Sequence, residues 1–241
     1  MGYLMVVVIL GLLILVHELG HLAAAKYVRI PIERFSAGFG PKVWGFRMGG
    51  TEYWLSLVPL GGYVLPRVQS EEEFSRFPLR DRILFSLGGP FANILAAFAC
   101  LSASHAAGAG ISLESLLAAP CRELYGTFIQ IVSAIPTFFN HPDKLSGIIG
   151  IVAFGGQHAS VDVARLLGFS IMLSVNLAVF NLLPFPPLDG GRIVFSLLRS
   201  IYKPLDRLQL PMSITGWALM ALLMLYTGVI DIGRIIAGIQ I

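Results

Sequence analysis

The sequence is poor in charge and in cysteine. Only 13% of its 241 residues are charged and 56% are hydrophobic, whereas a soluble domain has about 25% charged residues. Its two cysteines, Cys100 and Cys121, do not indicate a disulfide framework. This composition excludes an ordinary soluble domain and indicates an integral membrane protein.

Long apolar runs supply the candidate membrane spans. A spanning helix needs roughly 20 mostly apolar residues, and four stretches qualify, at about 3–27, 83–107, 166–186 and 212–233. The first has no basic n-region, so we do not interpret it as a cleavable signal peptide. A shorter fifth stretch, about 124–139, is predicted to lie in or dip into the membrane without crossing it. We therefore predict an α-helical integral membrane protein of about four transmembrane helices, forming a single domain over 1–241.

Basic residues predict the orientation. Nine of the 17 Lys and Arg residues lie in 26–82 and four more in 187–211. The positive-inside rule places both segments in the cytoplasm, which puts both termini outside. Because topology accounts for the small net charge of +3, nucleic acid is not an expected partner.

The segment after the first span has strand character. Residues 32–37, 42–48 and 51–58 are predicted as short strands, with Gly49-Gly50 as a hairpin turn. The region of about 32–66 is thus expected to form a membrane-associated β-hairpin or small sheet. Ser70, three residues before Glu73, predicts a capping box that opens a short helix.

The first span contains an HExxH motif at residues 17–21. Four helical residues turn through about 400° and rise about 6 Å, so His17 and His21 share one helix face. That spacing suits two ligands of one zinc ion, with Glu18 beside them acting on water. A carboxylate in a span costs about 2.5–3.5 kcal/mol on insertion scales. Polar residues placed there by chance would carry this cost without compensation. A bound metal ion would neutralise the charge of Glu18 and give the two histidines a partner.

A catalytic zinc ion takes three protein ligands and keeps one position open. The other histidines, His105, His141 and His158, fall on or near the predicted outer side. "NLLPFPPLDGGR" (181–192) instead presents Asp189 at the cytoplasmic end of the third span, after prolines that stop the helix. The alternative for Asp189 is a turn aspartate at the membrane surface.

Together, HELGH at 17–21 and LDGG at 188–191 resemble the site-2 protease family of intramembrane zinc metallopeptidases. "GFGPKVW", "GTEYWLSLVPLGGYV", "GGPFAN" and "NLLPFPPLDGG" are similar to the bacterial branch that cleaves anti-sigma factors. The resemblance implies that His17, His21 and Asp189 bind one Zn2+ and that Glu18 is the general base. It also implies that Asn181 holds the substrate carbonyl or the oxyanion. We assign Asn93 and Asn176 to interhelical hydrogen bonds.

One departure from that branch concerns the PDZ domains that it usually carries between the second and third spans. The loop of about 108–123 leaves no room for one, so size-gating of substrates by such a domain is not expected.

The resulting expectation is a zinc-dependent intramembrane endopeptidase of the bacterial cytoplasmic (inner) membrane, with its active site toward the cytoplasm. Its partners would be the lipid bilayer and a single-span substrate, such as an anti-sigma factor or a signal-peptide remnant. A prenyl-protein-type peptidase would need a glutamate ligand from a later helix, and the last three spans contain no glutamate. A non-catalytic zinc-binding membrane chaperone or adaptor is the other alternative. Glu18 argues against it, because metal binding does not need that residue.

The substrate helix must open before its peptide bonds can be attacked, and its freed backbone groups then need partners. We predict that the second strand of the hairpin offers a free edge to which a substrate strand adds. This candidate substrate-binding strand comprises Glu52, Tyr53, Trp54, Leu55, Ser56, Leu57 and Val58. The alternative is that the strands only cap the bundle.

Overall fold

The structure is a computed structural model that describes residues 2–68, 71–140, 145–158, 163–202 and 206–237. Its elements in chain order are α1 (Gly2–Tyr27), β1 (Ile32–Met48), β2 (Thr51–Pro66), α2 (Glu71–Phe74), α3 (Leu79–Ala109), a π-helical turn (Glu114–Ala118), α4 (Ala119–Asn140), α5 (Ile148–His158), α6 (Val163–Asn181), α7 (Asp189–Ile201) and α8 (Asp206–Ile236).

The prediction of an α-helical membrane protein with four spans and a small sheet after the first is confirmed. Within the described residues, four helices are long and apolar enough to cross a membrane: Gly2–Tyr27, Leu79–Ala109, Ala164–Asn181 and Leu210–Ile236. The third span ends five residues earlier than predicted, at Asn181. Pro184, Pro186 and Pro187 follow it closely, and proline disfavours a helical conformation in the residue before it.

The fifth apolar stretch forms part of α4, which is not among those four spans. Its membrane placement stays a prediction. Sequence patterns did not predict α5 or α7. Ser70 lies outside the described residues, so the structure shows only the helical turn Glu71–Phe74 after it.

The sheet consists of two long strands rather than three short ones. β1 continues through 38–41 because Gly38 adopts a φ of 94° and bends the strand without ending it. β2 continues past the predicted end at Val58 to Pro66. In the register, Arg34–Ala37 pairs with both Glu52–Leu55 and Gly62–Leu65.

Contacts divide the chain into two compact units. One comprises 10–94 and 180–216. Its buried core joins the end of α1, the start of β1 and the start of α3, through Leu22, Ala25, Ile30, Ile32, Phe35 and Phe85. Lys26 Nζ also donates a hydrogen bond to the Tyr53 hydroxyl at 2.6 Å. This packing fixes the second half of α1, which contains the HExxH motif, against α3 and the sheet.

The other unit comprises 1–9, 95–179 and 217–241. Its most polar buried group is Asp231 of α8, which is fully buried. One carboxylate oxygen accepts the backbone N–H groups of Gly147 and Gly150, each at 2.8 Å. Arg234 lies 3.8 Å from the other oxygen and donates to the Leu145 carbonyl at 3.2 Å. A buried carboxylate thus caps the start of α5.

Candidate metal centre

Three side chains converge in the unit of 10–94 and 180–216. His17 and His21 lie one turn apart on α1, and Asp189 is the first residue of α7. Oδ2 of Asp189 lies 3.1 Å from Nε2 of His17 and 3.2 Å from Nε2 of His21, and the two Nε2 atoms are 3.2 Å apart. All three residues are at most 6% exposed. Asp189 therefore forms, with the two HExxH histidines, a group that could hold a metal ion.

The other ring nitrogens are held from α3. His21 donates its Nδ1–H to the backbone carbonyl of Phe85 at 2.8 Å, which fixes the tautomer and turns the Nε2 lone pair into the cluster. Nδ1 of His17 lies 3.2 Å from the side-chain amide of Asn93. Both histidines are therefore supported by groups behind them, as in many metal centres.

The donor set fits a tetrahedral metal ion. A nitrogen lone pair and a carboxylate oxygen at 3.2 Å repel each other unless a proton or a metal ion lies between them. Ligands about 2.0–2.1 Å from a tetrahedral zinc ion are about 3.3 Å apart, close to the separations of 3.1–3.2 Å seen here. Gly89 of α3 leaves the space: a Cβ there would lie 2.5 Å from His21 Nε2 and 2.6 Å from His17 Nε2.

Local chain geometry delivers Asp189 to the cluster. After α6 ends at Asn181, the chain turns tightly, with Phe185 N–H donating to the Leu183 carbonyl at 2.7 Å. A Cβ at Gly190 would lie 2.1 Å from the Leu182 carbonyl oxygen, so the turn closes only with glycine there. Burial raises the pKa of Asp189, but its contacts with His17 and His21 and the charge of Arg192 outweigh this and leave the pKa below its usual range. Asp189 is therefore a carboxylate at neutral pH.

Glu18 lies beside the cluster and beneath the last part of β2. It is half-buried, one residue after His17. A Cβ at Gly62 would lie 3.1 Å from Glu18 Cγ, so the backbone of β2 passes directly over the glutamate. Gly62 is thus the β2 residue seen in contact with Glu18.

Within the predicted substrate-binding strand Glu52–Val58, the segment Glu52–Leu55 has no free edge. Glu52–Leu55 pairs with Arg34–Ala37 on one side and with Trp44–Arg47 on the other. Ser56 Oγ contacts Ser36 Oγ at 2.8 Å and is buried. Both sides of Glu52–Leu55 are thus occupied, and its role in the structure is to join the two arms of the bent β1.

The remaining predicted site residue, Asn181, and the other histidines lie elsewhere in the chain. Asn181 is the half-buried last residue of α6, and its catalytic role stays a prediction. Nε2 of His105 lies 2.9 Å from Glu123 in the unit of 95–179. His141 lies outside the described residues, as does the side chain of His158. Among the described residues, His17, His21 and Asp189 are the group able to hold a metal ion.

A known protein family matches the part of the chain that contains the metal cluster and most of the four spans. The model of Peptidase family M50 matches residues 5–224, which include the whole cluster. The chain belongs to Peptidase family M50. M50 membership and the cluster make it a metallopeptidase, and M50 membership with the four apolar helices indicates an integral membrane protein.

Similar proteins occur in several bacteria. A Nostoc sp. protein is 26% identical over 338 aligned positions, which cover 91% of this chain and 93% of the relative. A Synechocystis sp. protein is 26% identical, with coverages of 88% and 89%. A Campylobacter jejuni protein is also 26% identical, with coverages of 97% and 94%. All three bear the name "Putative zinc metalloprotease". Alignments longer than this chain require long insertions in the relatives.

The part of the M50 site that α3 contributes was not predicted. Phe85, Gly89 and Asn93 recur every four residues, so they form one helix face. Phe85 holds His21, Gly89 makes room for both rings, and Asn93 contacts His17. The i, i+4, i+8 pattern within "GGPFAN" and the preceding turn could have revealed this face. Asn176, the other asparagine assigned to interhelical bonding, donates within its own helix to the Met172 carbonyl at 3.0 Å.

Proposed function

We propose that the chain is a zinc-dependent intramembrane endopeptidase that hydrolyses a peptide bond within or beside the membrane segment of a single-span protein. One observation carries the proposal. Two ligand histidines and Glu18 lie on a helix long and apolar enough to span a membrane, and Asp189 completes the donor set. The zinc-metalloprotease names of the relatives agree with this choice of metal.

The chemistry follows from the positions of the side chains. Zinc, when bound by His17, His21 and Asp189, supplies a Lewis acid that lowers the pKa of water to about 7. Glu18 takes the proton from the attacking water and later delivers it to the leaving amine. Asn181 donates a hydrogen bond to the carbonyl oxygen of the scissile bond as negative charge develops there.

The orientation rests on charge. The basic segments 26–82 and 187–211 face the cytoplasm by the positive-inside rule, which places the metal centre toward that side and both termini outside. The proposed location is the cytoplasmic membrane of a bacterium, in keeping with the bacterial relatives.

The proposed substrate site is the outer side of Gly62–Leu65 rather than Glu52–Val58. Arg34–Ala37 pairs with Gly62–Leu65 along one side, and the described residues include no strand partner on the other. A substrate segment added there as a strand would satisfy its backbone groups. It would also pass beside Glu18, whose Cγ is 3.1 Å from a Cβ position at Gly62.

Glu18→Gln tests the enzymatic function. The purified variant should keep stoichiometric zinc and lose cleavage of a single-span substrate, because the amide cannot accept the proton of water. Substantial cleavage by the variant would remove Glu18 from the mechanism. If neither the wild type nor the variant cleaves any candidate substrate while both bind it and zinc, the chaperone or adaptor alternative is favoured.

Proline substitution tests the strand-addition site. Successive backbone N–H groups of a strand point to opposite sides. Of Tyr63→Pro and Val64→Pro, one therefore removes an N–H that points away from β1 (the outward variant), and the other removes an N–H that points toward β1 (the inward variant). The outward variant should keep wild-type thermal stability and lose cleavage at least about tenfold, whereas the inward variant should also destabilise the sheet. Full cleavage by both variants would refute strand addition.

A further inference from the structure

Asn93 is the most buried polar group around the cluster. It is fully buried on α3, one helical turn after Gly89, and its amide lies 3.2 Å from Nδ1 of His17. Unlike Phe85, which holds His21 through a backbone carbonyl, Asn93 contacts its histidine through a side chain. This contact can therefore be changed by substitution without altering the backbone.

The chemistry of the imidazole ring defines what His17 requires. A neutral ring has one N–H donor and one lone pair. With the proton on Nε2, Nδ1 accepts, and the amide nitrogen of Asn93 is the matching donor. With Nε2 as a metal ligand the proton is on Nδ1, and the matching partner is an acceptor. Rotating the amide by 180° exchanges its nitrogen and oxygen at the same place.

We propose that Asn93 is a positioning residue of the metal centre that holds His17 with Nε2 toward the metal. The proposal rests on the proposed metal-dependent function. The carbonyl oxygen of the amide accepts the Nδ1–H of the liganded ring, as carboxylates and backbone carbonyls do behind other metal-bound histidines. An amide also adds no further negative charge to a buried site that already contains Glu18 and Asp189.

Asparagine also serves both ring tautomers. Aspartate at this position would only accept, and leucine, with a similar shape, would neither accept nor donate. These two residues therefore separate the hydrogen-bonding role of Asn93 from its packing role. Asn176 supplies a matched control, because its amide bonds within its own helix to Met172.

The experiment measures zinc release from full-length protein in detergent, using a strong chelator with a colorimetric readout. Asn93→Leu should release zinc about 10–100-fold faster than the wild type, the usual effect of losing a partner behind a metal ligand. Asn93→Asp should release zinc no faster than the wild type, since the acceptor remains. Asn176→Leu should match the wild type. Co2+-substituted Asn93→Leu should show an altered visible absorption spectrum, reporting a reoriented ligand.

Each outcome has a defined meaning. Wild-type zinc release by Asn93→Leu would overturn the proposal. So would equally fast release by folded Asn93→Asp, because the loss would then not depend on an acceptor. His17→Ala separates this test from that of the metal centre: wild-type zinc release by that variant would refute the metal centre itself. If His17→Ala loses zinc and Asn93→Leu does not, only the role of Asn93 fails.

Discussion

Gly89→Ala should disable the metal centre by adding a single methyl group. Ordinary contact begins at 3.4 Å, but the new Cβ would lie 2.5 Å from His21 Nε2 and 2.6 Å from His17 Nε2. The ligand nitrogens must therefore move by about 0.9 Å, whereas metal–ligand distances tolerate about 0.2 Å. We expect zinc affinity to fall at least about 100-fold, or about 2.8 kcal/mol.

The fold itself should survive this change. Alanine is a better helix former than glycine by about 1 kcal/mol, and the clash involves side-chain rings that can rotate when no metal holds them. Gly108→Ala is the matched control, because it lies in the same helix and its Cβ would have nothing within 4 Å. Zinc content after dialysis against graded chelator, with thermal unfolding in detergent, separates metal loss from unfolding.

If Gly89→Ala retains zinc in the same chelator concentrations as the wild type, Gly89 does not provide the space for the metal. If Gly108→Ala loses zinc as readily as Gly89→Ala, the effect belongs to the helix and not to contact with the two histidines.

Three further predictions concern other parts of the molecule. Asp189→Ala should lose both cleavage and tight zinc; stoichiometric zinc after chelator washing would show that Asp189 is not a ligand. Asp231→Ala should destabilise the protein by about 1–3 kcal/mol, because the backbone N–H groups of Gly147 and Gly150 lose their acceptor. Asp231→Asn, which keeps an acceptor, should lose less, and an unchanged unfolding temperature for Asp231→Ala would contradict its capping role. Substrates with small and large folded external domains should be cleaved at similar rates; a sharp block of the larger one would reveal a size gate.

Local periodicity made some of the site predictable. The i, i+4 spacing of His17 and His21 determines their common face in any helix, and the prolines before Asp189 end the third span in any context. Both features act within a few residues. Asp189 is proposed from the sequence because zinc needs a third ligand and because Asp189 follows the cytoplasmic end of the third span. In the structure its Oδ2 lies 3.1 Å from His17 and 3.2 Å from His21.

The missed features depend on pairing between distant segments. Arg34 pairs with both Glu52 and Leu65, so the first part of β1 lies between two segments of β2 and occupies one edge of the expected substrate strand. The strand predicted at 51–58 instead continues to Pro66. Asp231 lies in an apolar run whose sequence gives no sign that the N–H groups of Gly147 and Gly150 would need its carboxylate.

The wide separation of the ligands along the chain affects when the enzyme becomes competent. His17 and Asp189 are 172 positions apart, which takes about 9–34 s to translate at 5–20 residues per second. During that time the nascent chain has two ligands of a three-ligand site. Because the third comes from a turn that follows α6, the site cannot be completed before most of the membrane domain has been synthesised. A half-made chain in the membrane therefore has only an incomplete metal centre.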